Sequence, residues 1–451
     1  MTRLFADSFR LLGRPITDRP SSLVRFIGLY AAFGVRSPFL PHFFQQRGLT
    51  SAEIGTVMAL ATAVRLVAGP LAGRLADQRQ AWRGLLFVCA IGASLAAMLY
   101  LPAHGFWAIF IVSLVQAAAL APLAPLADAM AVSASYDRRQ PFEYGWVRGA
   151  GSGAFIAGLI AAGYAAGWMG IGVIVWCNAF LLGIAAIAAL PLPNIATNEG
   201  SSRSEAQIGG MWQLLSIPAF RRLLLVAALI LGSHALHDTF AVINWRAAGV
   251  SSGIASLLWS ESVASEVLVF FVFGPWLLNR LGLSRAAALA AAAGVMRWTV
   301  MGFTTEVVAL ALVEPLHGFT FALLHLVGMH LIGTTVPLRL TATAQAIYGT
   351  VAVGAATAFL TFAAGWLYEW WGGAAFWVMA LLCVAAIPLT PALDPRNGGT
   401  RPPGTDSPAL RLSSRRIWRM PMFSQPSAIA SPLRSRHDDP ACCRAFPPRS
   451  W

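Results

Sequence analysis

Apolar residues gather along this chain in about twelve blocks separated by short polar turns. Each block is close to the ~20 residues that a bilayer's hydrocarbon core requires. They lie near 23–46, 52–76, 83–101, 104–133, 144–167, 169–191, 219–248, 253–280, 284–303, 306–334, 341–370 and 372–392. Lipid offers the backbone no hydrogen-bond partner, so a chain that crosses it repeatedly in such blocks is helical. The expected fold class is all-α integral membrane, with twelve transmembrane helices in two pseudo-symmetric six-helix bundles. Gly and Ala recur within the blocks, as close helix packing in lipid favours.

The longest internal connection, 192–218, is polar and rich in Gly and Ser, and it follows the sixth block. It is expected to act as a cytoplasmic linker between an N-terminal bundle, 23–191, and a C-terminal bundle, 219–392. A cytoplasmic segment, 1–22, precedes them, and a basic cytoplasmic tail, 393–451, follows. The tail is rich in Pro, Arg and Ser without a period and reads as disordered. From Asp394 onward it carries ten arginines against four aspartates. That charge suits a solvated tail or contact with anionic lipid. A faint repeat supports two homologous halves. Gly69 to Arg83 after the second block and Gly274 to Arg285 after the eighth each place Gly-Pro, then an Asp or Asn with Arg, at one turn.

The chain is 57% hydrophobic and 11% charged, whereas soluble domains run near a quarter charged. The net charge of +13 comes from arginine alone and sits in the tail and the short turns, which is no nucleic-acid signal. Its distribution sets an expected orientation. One set of turns holds Arg74, Arg79, Arg83, Arg138, Arg139, Arg203, Arg221, Arg222, Arg280, Arg285 and Arg339, while the other holds Arg47 and Arg246. Both termini are therefore expected in the cytoplasm, with the chain multi-pass in a bacterial inner membrane. Residues 1–22 are polar and basic and the first block is long enough to span, so no cleavable signal peptide is expected. The five cysteines have no disulfide or metal spacing. No nucleotide-phosphate loop, HExxH or catalytic Ser/His/Asp arrangement stands out, so neither an enzyme nor a cofactor is predicted.

Ionisable groups inside the blocks are costly in lipid and are functional candidates by default. Asp128 and Arg148 lie on the fourth and fifth blocks and either form a structural pair or hold substrate. Arg65, in the second block, is a further candidate for an anionic substrate or for pairing between bundles. Arg36, in the first, is expected to pair with an acid or to snorkel. Glu266, Arg297 and His317 come from the eighth, ninth and tenth blocks, with Glu314 one turn before the histidine. A proton carrier needs a carboxylate whose proton affinity burial raises and a nearby cation lowers. A histidine can serve either protonation state, although a packing role for His317 is equally open. His234 and His237 share one face of the seventh block, but no third ligand is evident and no metal site is predicted. Trp146, Trp245, Trp259 and Trp298 stand near these charges, where aromatic walls would suit an aryl carboxylate. The interfacial aromatic belt fits Trp245 best.

The turn GRLADQRQAWR, with Gly73, Leu75, Asp77, Arg79 and Arg83, resembles the signature loop of the major facilitator superfamily, with Gln78 where an arginine is common. In that fold the glycine allows close helix approach and the loop takes part in gating. The motifs PLADAM, YGWVR, WRAAGVSSGIASLLWSESVASEV, GVMRWTVMG, LHGFTFALLHLVGM and GWLYEWWGGAAFWVMAL occur in order. Together they resemble the 3-phenylpropionic acid transporter branch of that superfamily, which is related to oligosaccharide:proton symporters such as lactose permease. The resemblance covers about 20–392 and not the tail. It implies that Arg148 grips a substrate oxygen and Asp128 orients it, with Arg65 and Trp146 beside them. It also implies that Glu266, Arg297 and His317 form the proton pathway. Thr320 stands where lactose permease has a further carboxylate, and Glu314 is the candidate to replace it. Asp238 resembles an acid of lactose permease that forms a structural pair, which implies the same structural role for it.

The expected function is secondary active transport: proton-coupled uptake of a small aromatic carboxylate such as 3-phenylpropionate, by a protein that works as a monomer. Its partners are a small organic anion, protons and the lipid bilayer. A sugar or nucleoside symporter, or a drug-efflux antiporter, of the same fold is the alternative. A membrane sensor that binds without translocating is a rival of another class, favoured only by the basic tail.

Overall fold

The computed structural model describes residues 20–79, 81–135, 144–190 and 206–394, with the side chains of 20–25, 131–135, 144–148 and 206–210 outside that description. Nearly all of the expected segment 1–22 and tail 393–451, and much of the linker 192–218, lie outside the described residues. The fold is all-helical. The first part comprises α1 (Pro20–Arg36), α2 (Leu40–Gln46), α3 (Ser51–Arg79), α4 (Trp82–Met98), α5 (Gly105–Leu120), α6 (Leu123–Ser135), α7 (Tyr144–Met169) and α8 (Val173–Ile187). A short helix, α9 (Ala206–Leu215), occupies part of what the sequence suggests is plain linker. The second part comprises α10 (Pro218–Gly232), α11 (His234–Ala247), α12 (Ser252–Leu268), α13 (Gly274–Phe303), α14 (Val307–Val313), α15 (Leu324–Thr335), α16 (Thr341–Ile347), α17 (Ala356–Trp371) and α18 (Phe376–Ala386).

Local chemistry explains where these helices begin and bend. The Glu53 carboxylate accepts from the Thr50 N–H at 2.8 Å, and the Thr50 hydroxyl accepts from the Glu53 N–H at 3.2 Å. This reciprocal capping satisfies donors that a helix start leaves open. Ser251 accepts from the Ile254 N–H at the head of α12, and Pro218 starts α10 where no N–H is required. Within α13, Gly282 has φ of 74° and breaks the helix, a conformation that side chains with a Cβ resist. Among the described residues, seven helical stretches are long and apolar enough to cross a membrane, the longest being Ser252–Phe303 and Leu338–Leu393.

Three apolar cores organise the packing. One contains only residues of the first part, among them Phe26, Leu86, Leu126 and Leu182. A second contains only residues of the second part, among them Phe220, Leu278, Leu331 and Tyr348. The third straddles both and unites Phe39, Phe43, Tyr100, Leu159 and Ile174 with Phe240, Trp245, Leu258, Trp298 and Phe376. The shared core holds the turns near Leu49, Ala103, Ile171 and Val250, which are poor in arginine. The separate cores hold Ala76, Leu86, Leu278 and Leu340, next to the arginine-rich turns.

The two parts are thus bound at one end, where α3 packs on α17 and α7 on α12. Small residues make that join possible. A Cβ on Gly55 would lie 2.6 Å from the Gly365 Cα, so α3 and α17 touch backbone to backbone. A Cβ on Gly163 would collide with the Ser256 side chain on α12. The Glu369 carboxylate adds a polar tie by accepting from the Ala52 N–H at 2.7 Å. Gly163→Leu should therefore overpack the join, and overpacking of a close interface costs about 1–3 kcal/mol. The expected outcome is a lower thermal unfolding midpoint in detergent; an unchanged midpoint would show that α7 and α12 do not meet closely there.

Candidate functional site

A buried polar network lies between α11, α12, α13 and the segment after α14. Pro315 follows the end of α14 and supports a tight 3₁₀ turn, Glu314–Leu316. Residues three apart eclipse in such a turn, which puts Glu314 and His317 on one side. A wide π-helical stretch, Gly318–Leu323, comes next. A Cβ on Gly318 would lie 2.7 Å from the Ser265 carbonyl oxygen, so the segment seats directly against α12. Facing it are Arg297 on α13, His237 and Asp238 on α11, and Ser262 and Glu266 on α12.

Arg297 and Glu314 are both fully buried, and the Arg297 Nη2 donates to Glu314 Oε2 at 2.6 Å. An isolated charge in such a place is prohibitive, and a pair is tolerable only when its remaining hydrogen bonds are met. They are largely met here. Arg297 Nη2 also reaches His237 Nε2 at 3.1 Å and Ser262 Oγ at 3.4 Å, and Nη1 donates to His317 Nδ1 at 3.1 Å. The guanidinium sits 4.5 Å from the centre of the Trp298 ring, a cation–π arrangement. Among the described residues the Arg297 Nε has no partner. The Ser262 hydroxyl donates to Glu314 Oε2, and Oε1 meets His237 Nε2 at 3.2 Å.

The network extends in two directions. His317 Nε2 lies 3.6 Å from Glu266 Oε2, with both side chains partly exposed. A guanidinium can only donate, so His317 Nδ1 must present its lone pair to Arg297 and Nε2 then carries the proton toward Glu266. On the other side, His237 Nδ1 lies 3.2 Å from Asp238 Oδ1. Trp259 stacks on His237 at 4.5 Å, and Trp245 and Trp298 pack around it. Aromatic walls keep water from the pair and strengthen every electrostatic term inside.

Four expected residues, Glu266, Arg297, Glu314 and His317, are therefore brought together. Thr320, at the position of the missing carboxylate, is fully buried and donates to the His317 carbonyl at 3.1 Å, so it serves the widened turn. Other candidates lie apart from this cluster. Asp128 is half-buried on α6 and accepts from the Tyr30 hydroxyl at 3.4 Å. Arg148 and Trp146 fall on the first turn of α7, with side chains outside the described set. Arg65 is exposed at the middle of α3 and donates to Thr62 Oγ1 at 3.0 Å. Arg36 donates to Gln116 Oε1 at 3.1 Å, an amide and not the acid expected of it.

In the loop motif, Asp77 and Arg79 are exposed and Arg83 donates to the Leu190 carbonyl at 3.3 Å. Among the described residues, a Cβ on Gly73 would meet nothing within 4 Å, so none of them makes the close approach expected of this glycine. Trp245 corrects another expectation: it is fully buried against His237 and Trp259 and is no interfacial belt residue. Sequence reasoning passed over Ser262, which no motif singles out, and weighed His237 only as a metal ligand. The polar pattern H-A-L-H-D in an apolar block was the available signal.

Comparison with known proteins places the chain. The family model described as MFS_1 like family matches residues 23–379. A probable 3-phenylpropionic acid transporter from Escherichia coli (strain K12) is 32% identical over 373 residues, which cover 81% of this chain and 95% of that protein. A maltose permease from Geobacillus stearothermophilus is 26% identical over 357 residues, covering 79% and 89% respectively. The crystal structure of the nucleoside transporter NupG shares the fold with a TM-score of 0.74 at 16% identity, covering 82% of this chain and 98% of that one.

Removing one partner of the buried pair should expose its energetics. Glu314→Gln strands the Arg297 charge, and breaking a buried pair in this way costs about 3–5 kcal/mol. The thermal unfolding midpoint should fall accordingly, and the double variant Arg297→Leu with Glu314→Leu should lie closer to wild type than either single change. A Glu314→Gln protein as stable as wild type would show that the pair is not closed.

Proposed function

The chain belongs to the MFS_1-like family of membrane transporters and is not an enzyme, and from that membership we propose proton-coupled uptake of a small aromatic carboxylate, such as 3-phenylpropionate, by alternating access. The observation that carries the coupling is the buried contact of Arg297, Glu314 and His317, with Glu266 at its edge. A transporter needs a carboxylate whose protonation changes the cost of closing around it. Glu266, Glu314 and His317 can bind the proton, and Arg297 holds the deprotonated state. The substrate class is supported by the described activity of the Escherichia coli relative. Arg148, with Asp128, Arg65 and Trp146, is the proposed substrate set, since a guanidinium grips a carboxylate bidentately.

The proposed architecture has twelve spans in two six-helix bundles and works as a monomer. Gly282 and Gly372, both at positive φ, break the 52- and 56-residue stretches into two spans each. The shorter apolar helices Phe26–Arg36, Trp82–Met98 and Val173–Ile187 supply three more. With the arginine-rich ends in the cytoplasm, the shared core closes the outer end and the separate cores part the inner end. The chain would thus stand inward-facing. The loop with Gly73, Asp77, Arg79 and Arg83 would close the inner end when the bundles rock back. In the transport cycle, substrate and proton load from outside, neutralisation removes the penalty for occlusion, and both leave inside. A sugar symporter is the second reading, favoured by the maltose permease relative.

Substrate-induced proton flux in proteoliposomes tests this reading, with 3-phenylpropionate, cinnamate, a β-galactoside and a nucleoside in parallel. The expected outcome is inward proton movement with the aryl carboxylates alone, lost in Arg148→Ala. Glu266→Gln should abolish uphill accumulation while permitting exchange. Flux with the sugar or nucleoside instead would move the substrate, and flux with none would remove proton symport.

A further inference from the structure

His237 sits between two carboxylates of opposite character. Its Nδ1 faces Asp238 Oδ1 at 3.2 Å, and that side chain is 50% exposed. Its Nε2 faces Glu314 Oε1 at 3.2 Å, and that side chain is 0% exposed. Every other residue from Ile230 to Ile243 is buried or nearly so. A lipid-facing helix would show a stripe of exposed residues at intervals of three and four. A single exposed carboxylate on an otherwise covered helix opens instead into an internal crevice. The helix supports this, since α11 packs against α2 and α3 of the first part and against α12, α17 and α18 of the second.

The second observation is the double partnership of His237 Nε2. It lies 3.2 Å from an acceptor, Glu314 Oε1, and 3.1 Å from a donor, Arg297 Nη2. One nitrogen cannot use both at once. With a proton it donates to Glu314; with a lone pair it accepts from Arg297. The site therefore satisfies both neutral tautomers of one imidazole. The two oxygens of Glu314 are divided to match. Oε2 is taken by Arg297 and Ser262, while Oε1 faces His237.

We propose that His237 is a proton relay between Asp238, open to solvent, and the buried Glu314. This rests on the proton-coupled reading and adds the route by which the buried carboxylate is charged and discharged. At the start Asp238 is protonated and donates to Nδ1, and Nε2–H donates to ionised Glu314. The proton of Asp238 moves to Nδ1 as the Nε2 proton moves to Glu314 Oε1. Asp238 has then lost one proton and Glu314 has gained one, and the imidazole is neutral in its other tautomer. Arg297 Nη2–H satisfies the freed Nε2 lone pair. For discharge, with Asp238 ionised, the Glu314 proton returns to Nε2 as the Nδ1 proton passes to Asp238, which then releases it to water.

The groups that bear on His237 and on its partner Glu314 are Asp238 and His234 on α11, Glu261 and Ser262 on α12, Arg297 on α13, and His317 after α14. Trp259 stacks on His237, and Trp245 and Trp298 pack beside it. Asp238 would thus be a working member of the site, in place of the structural role the resemblance implies for it.

Two measurements on the full-length protein test the relay. In protein labelled with ¹⁵N-histidine, the imidazole shifts distinguish Nδ1–H from Nε2–H without any substrate. A signal absent from His237→Gln should change tautomer from about pH 5 to about pH 8, the window in which histidine responds, and Asp238→Asn should abolish that change. A His237 signal fixed in one tautomer across the window would overturn the proposal. In proteoliposomes, Asp238→Asn and His237→Gln should lower 3-phenylpropionate-driven proton flux about a hundredfold, far more than they lower substrate exchange. Wild-type flux in a folded His237→Gln protein would also overturn it. Absence of flux in the wild type would count against the functional reading, and the tautomer measurement would still decide the relay.

Discussion

The buried pairing of Arg297 with Glu314 is the constraint on which the rest of this structure depends. Two ions removed from water lose solvation that their mutual attraction only partly returns. The surrounding groups are arranged around that deficit. Ser262 and His237 complete the carboxylate, His317 takes the second arm of the guanidinium, and Trp298 covers its face. An apolar replacement of similar volume would hold the helices together at less risk. What an apolar core cannot do is change charge. A pair whose balance shifts by one proton changes the energy of everything packed against it.

That packing is the join between the two parts of the chain. Trp245, Trp259 and Trp298 belong to the apolar core that straddles them, and the same three rings enclose His237. Glycines at 55 and 163 bring the helices of the join to backbone distance. Close packing transmits small displacements because it has no slack. A change of hydrogen-bond partner at His237 or His317 is therefore felt by the helices that bind one part to the other. At the opposite end, among the described residues, the apolar cores of the two parts are separate.

The departures from expectation share one origin. A period of apolar residues says that a helix is covered without saying by what. Trp245 looked interfacial because it lies near the end of a block beside an arginine, yet the turn folds it inward onto His237. Thr320 looked like a lost carboxylate, but its hydroxyl serves the carbonyls of a widened turn that no periodicity reveals. Gly73 fits a motif in which a close contact is expected, yet no described residue stands within 4 Å of where its Cβ would be. Arg36 found an amide, since which polar group faces it across two helices is not written in its own block.

By itself the sequence determined the solvent and the all-helical class. Blocks of apolar residues near bilayer length demand helices because lipid leaves the backbone no other partner, and the rarity of charge inside them marks Glu266, Arg297, Glu314 and His317 as costly and therefore purposeful. Tertiary structure alone decided the pairing. Arg297 and Glu314 are 17 residues apart, and His237 and Glu314 are 77 apart; on separate helices their distances depend on rotation, tilt and the tight turn at Pro315. Those quantities arise from packing against neighbours, and hydrogen-bond geometry changes from bond to no bond within an ångström. The sequence could name the ionisable groups, and only their placement in three dimensions could show which of them meet.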